Sequence, residues 1–195
     1  MPTFLDAAEW YATLATLYGT AAALITSPPG DVLLVKPNYR DHWSLPGGIL
    51  EDGEPPHDGC AREVREELGL SVPIGPLLAV AWIAPEGLRP RPLVAFLFDG
   101  GVLADPSPIV LQEEELDDFR FVPPSALAEY LPPHMAARVT AALRARDSGG
   151  AVYAFSAIAV SGSRPRSGSR PRDRDRAHRS GRPGRRAGAA RSGSA

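Results

Sequence analysis

The segment over residues 48–70, GILEDGEPPHDGCAREVREELGL, constrains the fold of this chain more than any other part of the sequence. Its second half predicts a helix over residues 56–68. A proline stands in the first turn of that helix and Gly69 directly follows its end, which is the usual asymmetry of helix termini. Before the segment, a loop ends in the pair Gly47 and Gly48, which carry no Cβ and let the backbone pass close to a ligand. We therefore expect a glycine loop followed by one well-delimited helix.

Three glutamates on the predicted helix, Glu63, Glu66 and Glu67, stand at positions i, i+3 and i+4 and share one face. Like charges at this spacing destabilise a helix unless a positive charge lies nearby. Carboxylates on a rigid element suit Mg²⁺, which keeps several waters and is usually shared with substrate phosphates. The apolar residues occupy a different side of the helix, which can pack on a sheet: Cys60, Ala61, Val64 and Leu68. An isolated glutamate pair would indicate only a solvated face, whereas the full constellation favours a metal site.

The complete spacing is G-x5-E-x7-R-E-U-x-E-E-x-G-U, with U an aliphatic residue, and it resembles the Nudix box at every specified position. The resemblance implies an α/β/α sandwich, an α+β fold in which a mixed β-sheet is flanked by helices. It also implies a pyrophosphohydrolase with Mg²⁺ or Mn²⁺ as cofactor. Such an enzyme cleaves a nucleoside diphosphate linked to a group X, of the ADP-ribose, nucleotide sugar, NADH or nucleoside triphosphate class, by attack of water on phosphorus.

The same resemblance assigns roles to individual residues. The implied metal ligands are the carboxylates of Glu63, Glu66 and Glu67 and the backbone carbonyl of Gly48. Glu54 and Arg62 would brace the loop and the helix through a salt bridge, and Arg62 would also orient a glutamate.

The resemblance leaves open whether the general base is a glutamate of the box or one in a later loop. Glu115 is the candidate in that loop, with Glu114 next to it, although the acidic run around them is equally compatible with a solvated loop. The alternative to an enzyme is a regulatory module of the same fold that senses a nucleotide without turnover. The intact set of carboxylates argues against this alternative, because a pure sensor does not need them.

The rest of the chain predicts strands and helices without a strict βαβ rhythm, which favours an α+β protein or a mixed sheet with helices outside. Strands are expected over 19–26, 32–35, 77–83, 93–98 and 119–122, and helices over 124–130 and 133–146. The expected division is an N-terminal helix over 1–18, a hydrolase domain over 19–147 and a low-complexity tail over 148–195. Residues 151–160 form an apolar run that predicts a strand or a hydrophobic appendage. The tail after it lacks large apolar residues and is expected to be disordered.

Charge is distributed unevenly, since eleven of the 21 basic residues are arginines within the last 35 positions. The acidic body argues against a nucleic-acid-binding protein, and no specific role is favoured for the basic tail. Cys60 is the single cysteine, which excludes an internal disulfide, and no apolar run approaches the roughly 20 residues that cross a bilayer. We expect a cytoplasmic protein with a small-molecule nucleotide substrate and no membrane partner. The resemblance leaves a homodimer open.

Aromatic and basic residues outside the box have two possible roles. Trp43, Trp82 and Phe96 could stack on a nucleobase, but aromatic residues in strands more often belong to the core. Arg89 and Arg91 lie in a loop between two predicted strands, where they could bind a substrate phosphate or simply face solvent.

Overall fold

The computed structural model describes residues 6–156. The helices are α1 (Ala7–Ala12), α2 (Pro56–Leu68), α3 (Leu127–Tyr130) and α4 (Pro133–Ser148), with a 3-10 turn at Pro124–Ala126 before α3. The strands are β1 (Tyr18–Thr26), β2 (Val32–Pro37), β3 (Gly47–Ile49), β4 (Leu77–Ile83), β5 (Leu93–Val102), β6 (Leu116–Val122) and β7 (Val152–Ser156). The segment expected to be disordered lies outside the described residues from 157 onward.

The strands form one mixed sheet in the order β6-β2-β1-β5-β4-β7, and β3 pairs with β1 off this path. β1 runs parallel to β5, which places Ala21 beside Phe96, and antiparallel to β2 and β3. β4 runs antiparallel to β5 and parallel to β7. This mixed sheet between helices confirms the predicted fold class.

Hydrophobic cores cover both faces of the sheet. On one face, α2 contributes Cys60 and Val64 to a core shared with Ala23 of β1. On the other face, α4 contributes Val139 to a core that includes Leu24 of β1. Since β1 is covered on both sides, its apolar residues form a nearly continuous run instead of alternating with polar ones. Truncating the fully buried Leu24 to alanine would cost about 2–5 kcal/mol of stability.

An ion pair near the end of α4 attaches this helix to the sheet. The guanidinium of Arg146 donates to Asp99 Oδ1 of β5 at 2.6 Å and to Thr26 Oγ1 of β1 at 3.1 Å. The helix ends at Gly149, which adopts a left-handed conformation with φ of 74°. These contacts fix the position of α4 on its face of the sheet.

The structure differs from the expected elements in three places. The N-terminal helix is limited to α1, which a capping box between Asp6 and Glu9 starts, and β1 already begins at Tyr18. The glycine loop contains a short strand, β3. Past the expected domain boundary at 147, α4 continues to Ser148, and β7 adds a strand to the sheet beside β4. Within the described residues, no helix has the length and apolar character needed to span a membrane.

Candidate active site

The pairing of β3 with β1 brings the glycine pair next to α2. A Cβ on Gly47 would lie 2.2 Å from the carbonyl oxygen of Ala21, and its φ of 141° also favours glycine. Only a glycine therefore allows β3 to approach β1 this closely. The backbone N–H of Gly47 donates to Glu67 Oε2 at 2.7 Å and ties the loop to the helix.

Glu67 is a buried carboxyl, with 6% of its surface exposed. Burial raises its pKa to about 8, the hydrogen bond from Gly47 opposes this rise, and the charges of Glu63 and Glu115 add to it. Arg40 lies close enough for its charge to lower the pKa of Glu67 slightly. A buried carboxyl that is expensive to ionise is typical of a functional position.

Arg62 forms hydrogen bonds with several residues around the acidic face of α2. Its guanidinium forms a bidentate pair with Glu54, at 2.9 Å to Oε1 and 3.0 Å to Oε2. Its Nη1 also donates to Glu63 at 3.0 Å and to Glu66 at 2.8 Å, and its Nη2 donates to the carbonyl of Ile49 at 3.1 Å. One arginine thus connects the loop, β3 and two of the three box glutamates on the helix.

The expected ion pair between Glu54 and Arg62 is therefore present, and it is strong. The hydrogen bonds from Arg62, followed by one from the backbone N–H of Glu51, lower the pKa of Glu54 to about 2. The carboxylates in turn raise the pKa of Arg62 above its usual range. The mutual stabilisation holds both groups charged across the physiological pH range.

Glu63 lies directly over Gly48. A Cβ at position 48 would come within 2.6 Å of the Glu63 carboxylate, so the absence of a side chain makes room for it. Burial raises the pKa of Glu63 in spite of Arg62, and the charges of Glu66 and Glu115 contribute. The carboxyl group of Glu63 thus lies near the Gly48 backbone and the guanidinium of Arg62. The carboxyl groups of Glu66 and Glu115 are also close enough to affect it.

Of the two loop candidates, Glu115 reaches the site and Glu114 does not. Glu115 lines the same cavity as Glu63, Glu66 and Glu67. Its position before β6 is fixed by its carbonyl, which accepts from the backbone N–H of Asn38 at 2.9 Å. Glu114 is exposed and lies outside the lining of that cavity.

The cavity has a volume of about 540 Å³, and both helical layers contribute to it. The acidic side consists of the box glutamates, Glu115 and the β3 backbone. The apolar side comes mainly from β5 and α4, with Phe96, Leu97 and Met135 among its residues. This is the size and composition of a pocket for a nucleotide-sized ligand.

The aromatic and basic residues considered outside the box differ in whether they line the cavity. Phe96 lines the cavity, whereas Trp43 packs edge-on against Tyr130 in the core, and neither it nor Trp82 lines the cavity. Arg89 also lines the cavity, but it donates to the carbonyls of Ala84 at 2.7 Å and Arg91 at 2.9 Å and so holds its own loop. Arg91 is exposed and lies outside the lining.

The cavity residues that sequence reasoning missed include Tyr39 and Arg40 in the loop after β2, and His134 and Arg138 on α4. The last two are four residues apart on one helix and so share a face, which was the available signal. Their place in the same cavity as the acidic residues depends on how α4 packs on the sheet, which the sequence does not reveal.

The donor set fits a hard divalent cation, because four carboxylates line one cavity and Gly48 leaves room for close approach of the backbone. Across residues 6–156, no three acidic, histidine or cysteine side chains converge into a ready set of ligands. Instead, Arg62 engages Glu63 and Glu66. Each of these carboxylates gives Arg62 one oxygen, Glu63 Oε1 and Glu66 Oε2, and retains its second oxygen for a cation.

A family model described as the NUDIX domain matches residues 17–143 of this chain. Curated relatives match over shorter segments. A MutT-like protein of Streptomyces ambofaciens is 38% identical over 61 residues, which are 31% of this chain and 40% of that protein. A candidate ADP-ribose pyrophosphatase of Bacillus subtilis is 41% identical over 61 residues, 31% of this chain and 29% of that protein.

A third relative, an 8-oxo-dGTP diphosphatase of Proteus vulgaris, is 36% identical over 56 residues, 27% of this chain and 50% of that protein. The matched segments thus span no more than half of these relatives. Among solved structures, a MutT protein of Methanosarcina mazei is 25% identical with a TM-score of 0.57, covering 68% of this chain and 96% of that one. The structural match extends well beyond the box.

Proposed function

Since this chain belongs to the Nudix hydrolase family, we propose that it is a divalent-metal-dependent pyrophosphohydrolase acting on a nucleoside diphosphate linked to a second group X. The observation that carries the proposal is the meeting of Glu63, Glu66, Glu67 and Glu115 in one nucleotide-sized cavity. Ionising all four carboxyl groups in one cavity is costly. Within the described residues, Arg62 is the cation that pairs with any of them, through Glu63 and Glu66, and Glu67 and Glu115 form no ion pair. A divalent cation shared with a diphosphate would offset this cost.

The ligands proposed for Mg²⁺ or Mn²⁺ are Glu63, Glu66, Glu67 and the Gly48 carbonyl. When bound, the cation neutralises diphosphate charge and lowers the pKa of a coordinated water. Arg62 positions the ligands, because it holds Glu63 and Glu66 on one side of α2 and is itself fixed by Glu54.

Water then attacks phosphorus, the bridging P–O bond breaks, and the leaving phosphate oxygen takes the electron pair. The proton of the attacking water passes to a carboxylate, for which we propose Glu115. Its side chain is exposed at the cavity, and it makes no ion pair within the described residues. The products are a nucleoside monophosphate and phosphorylated X, or pyrophosphate when the substrate is a nucleoside triphosphate.

The relatives supply the first substrates to test, since one is named for ADP-ribose and another for 8-oxo-dGTP. ADP-ribose suits this cavity, because the ring of Phe96 and the side chain of Met135 offer an apolar wall for a base or a sugar. We therefore propose the ADP-ribose class first and the nucleoside triphosphate class second.

The test is a panel of ADP-ribose, NADH, a nucleotide sugar, a dinucleoside polyphosphate and nucleoside triphosphates, incubated with the full chain and Mg²⁺. We expect phosphate-containing products from at least one substrate, and no product when EDTA removes the metal. Glu66→Gln should lower kcat at least a hundredfold, while Glu129→Gln, an exposed acid on α3 away from the cavity, should not change it.

Tight binding of one panel member without any turnover would contradict the proposal. That outcome would favour the alternative of a nucleotide-sensing module. Unchanged activity of Glu66→Gln would instead show that a metal ion, if required, is held by other residues.

A further inference from the structure

A second charged group enters the cavity from the helix on the opposite face of the sheet. Arg138 lies near the middle of α4, half-buried, and lines the same cavity as the glutamates of α2. Met135 and Val139 beside it on α4 also line the cavity. Arg138 is therefore part of the pocket wall and not of the solvent-exposed side of α4.

Arg138 lacks an internal partner among the described residues. The arginines that pair with carboxylates there are Arg62, Arg120 and Arg146, and Arg138 makes neither an ion pair nor a side-chain hydrogen bond within residues 6–156. Burial alone lowers the pKa of Arg138. A partly desolvated cation is costly without a counter-charge, and arginines in such positions are normally paired.

The cavity residue one helical turn before Arg138 does not supply the missing charge. His134 precedes Arg138 by one helical turn and also lines the cavity. Burial, and then the charge of Arg138, lower the pKa of His134, so it is neutral near pH 7 and offers an N–H or a lone pair instead of a negative charge. Arg138 therefore lines the space in which a ligand would lie and has no ion-pair partner within the described residues.

From this arrangement we infer that Arg138 is a substrate-binding residue that contacts phosphate oxygens of the diphosphate. The planar fork of a guanidinium matches two phosphate oxygens, and such charge-assisted pairs are among the strongest hydrogen bonds in proteins. Arg138 holds the diphosphate from the α4 side while the glutamates act from the α2 side. This inference rests on the proposed function, because it takes the ligand to be a diphosphate.

Equilibrium binding tests the role without relying on turnover. Inorganic pyrophosphate and adenosine are titrated separately into the full chain with Mg²⁺, followed by calorimetry. Arg138→Gln should weaken pyrophosphate binding roughly ten- to a hundredfold and leave adenosine binding unchanged. Arg138→Lys keeps the positive charge but not the planar fork, and it should weaken pyrophosphate binding less than Arg138→Gln does. Arg144→Gln, an exposed arginine on the same helix outside the cavity, should bind both probes like the wild type.

Three results would overturn the inference: wild-type affinity of Arg138→Gln for pyrophosphate, weakened binding of adenosine alone, or no pyrophosphate binding by the wild type. The melting temperature of each variant shows whether the fold persists. If Arg138→Gln is unfolded, the folded Arg138→Lys decides, since equal affinity to wild type in that variant would contradict bidentate contact. Failure of the proposed function would be a separate result, namely the absence of turnover by the wild type on every member of the substrate panel.

Discussion

The carboxylate of Glu63 lies against the Cα of Gly48, where an added Cβ would come within 2.6 Å of its oxygens. The contact joins the short strand β3 to the acidic face of α2. Because a carboxylate at the end of a flexible side chain can move aside, a larger residue at position 48 would displace Glu63 without unfolding the protein.

We therefore expect Gly48→Ala to lower kcat about 10–100-fold, because a shift of about 1 Å in a catalytic group has effects of this size. Its melting temperature should stay near that of the wild type. Gly150→Ala is the matched control, since a Cβ there would meet only Ser148 Oγ at 3.9 Å. Full activity of Gly48→Ala in steady-state kinetics would show that the position of Glu63 is not critical.

Replacing Glu67 by glutamine should separate stability from activity. The pKa of Glu67 is about 8 in the folded chain, against an ordinary value of 4.5. The folded state therefore holds a proton that the unfolded state releases between these values, and ionising Glu67 opposes folding as the pH rises. Glu67→Gln removes this cost while its amide oxygen can still accept from Gly47.

In metal-free buffer, the melting temperature of Glu67→Gln relative to wild type should rise from about pH 4.5 to pH 8 and level off above it. Each 1 kcal/mol corresponds to about 2–4 °C in a chain of this size. The same variant should lose at least a hundredfold in turnover with Mg²⁺. A constant difference in melting temperature between pH 5 and pH 9 would contradict the burial of an ionisable carboxyl at this position.

The ion pair between Glu54 and Arg62 predicts the opposite pH dependence. The pKa of Glu54 falls from 4.5 to about 2 on folding, so its contribution to stability is complete above pH 4.5 and is lost as the pH falls toward 2. The melting temperature of wild type should exceed that of Glu54→Gln at pH 6, and the difference should shrink between pH 4.5 and pH 2. Glu51→Gln, an exposed acid in the same loop, serves as control.

The sequence was sufficient to predict the parts of the fold that depend on local chemistry. The predicted bounds of α2 match the structure, because Pro56 starts the helix and Gly69 ends it with a φ of 66°. The ion pair between Glu54 and Arg62 was likewise expected, since it joins two positions of one motif. The acidic face of α2 follows from helical spacing alone.

Features that depend on distant packing were not predictable. β3 consists of two glycines and one isoleucine, and only its pairing with β1 makes it a strand. β7 joins the sheet because β4 offers a free edge, which a short apolar run does not reveal. Arg138 lies in the cavity because α4 crosses the opposite face of the sheet, so its helical spacing from His134 does not by itself mark it as part of the site.

Cys60 should be chemically inert in the native protein. Its side chain is fully buried against the sheet, and burial, followed by the charge of Glu63, raises its pKa to about 12. The thiolate, which is the reactive form, is therefore scarce at neutral pH. A chromogenic disulfide reagent at pH 8 should modify no thiol in the folded chain and one after denaturation, and rapid modification of the native protein would contradict this burial.

Glu115 and Glu114 form a matched pair for locating the general base, since they are adjacent in sequence and only Glu115 lines the cavity. If Glu115 takes the proton from the attacking water, Glu115→Gln should lower kcat about 10²–10⁴-fold with little change in KM, because removal of a general base has effects of this size. Glu114→Gln should keep wild-type kinetics. The pH–rate profile adds a second criterion: the loss in Glu115→Gln should shrink as the pH rises and hydroxide replaces the base. A loss below tenfold in Glu115→Gln would instead assign the proton transfer to a glutamate of α2.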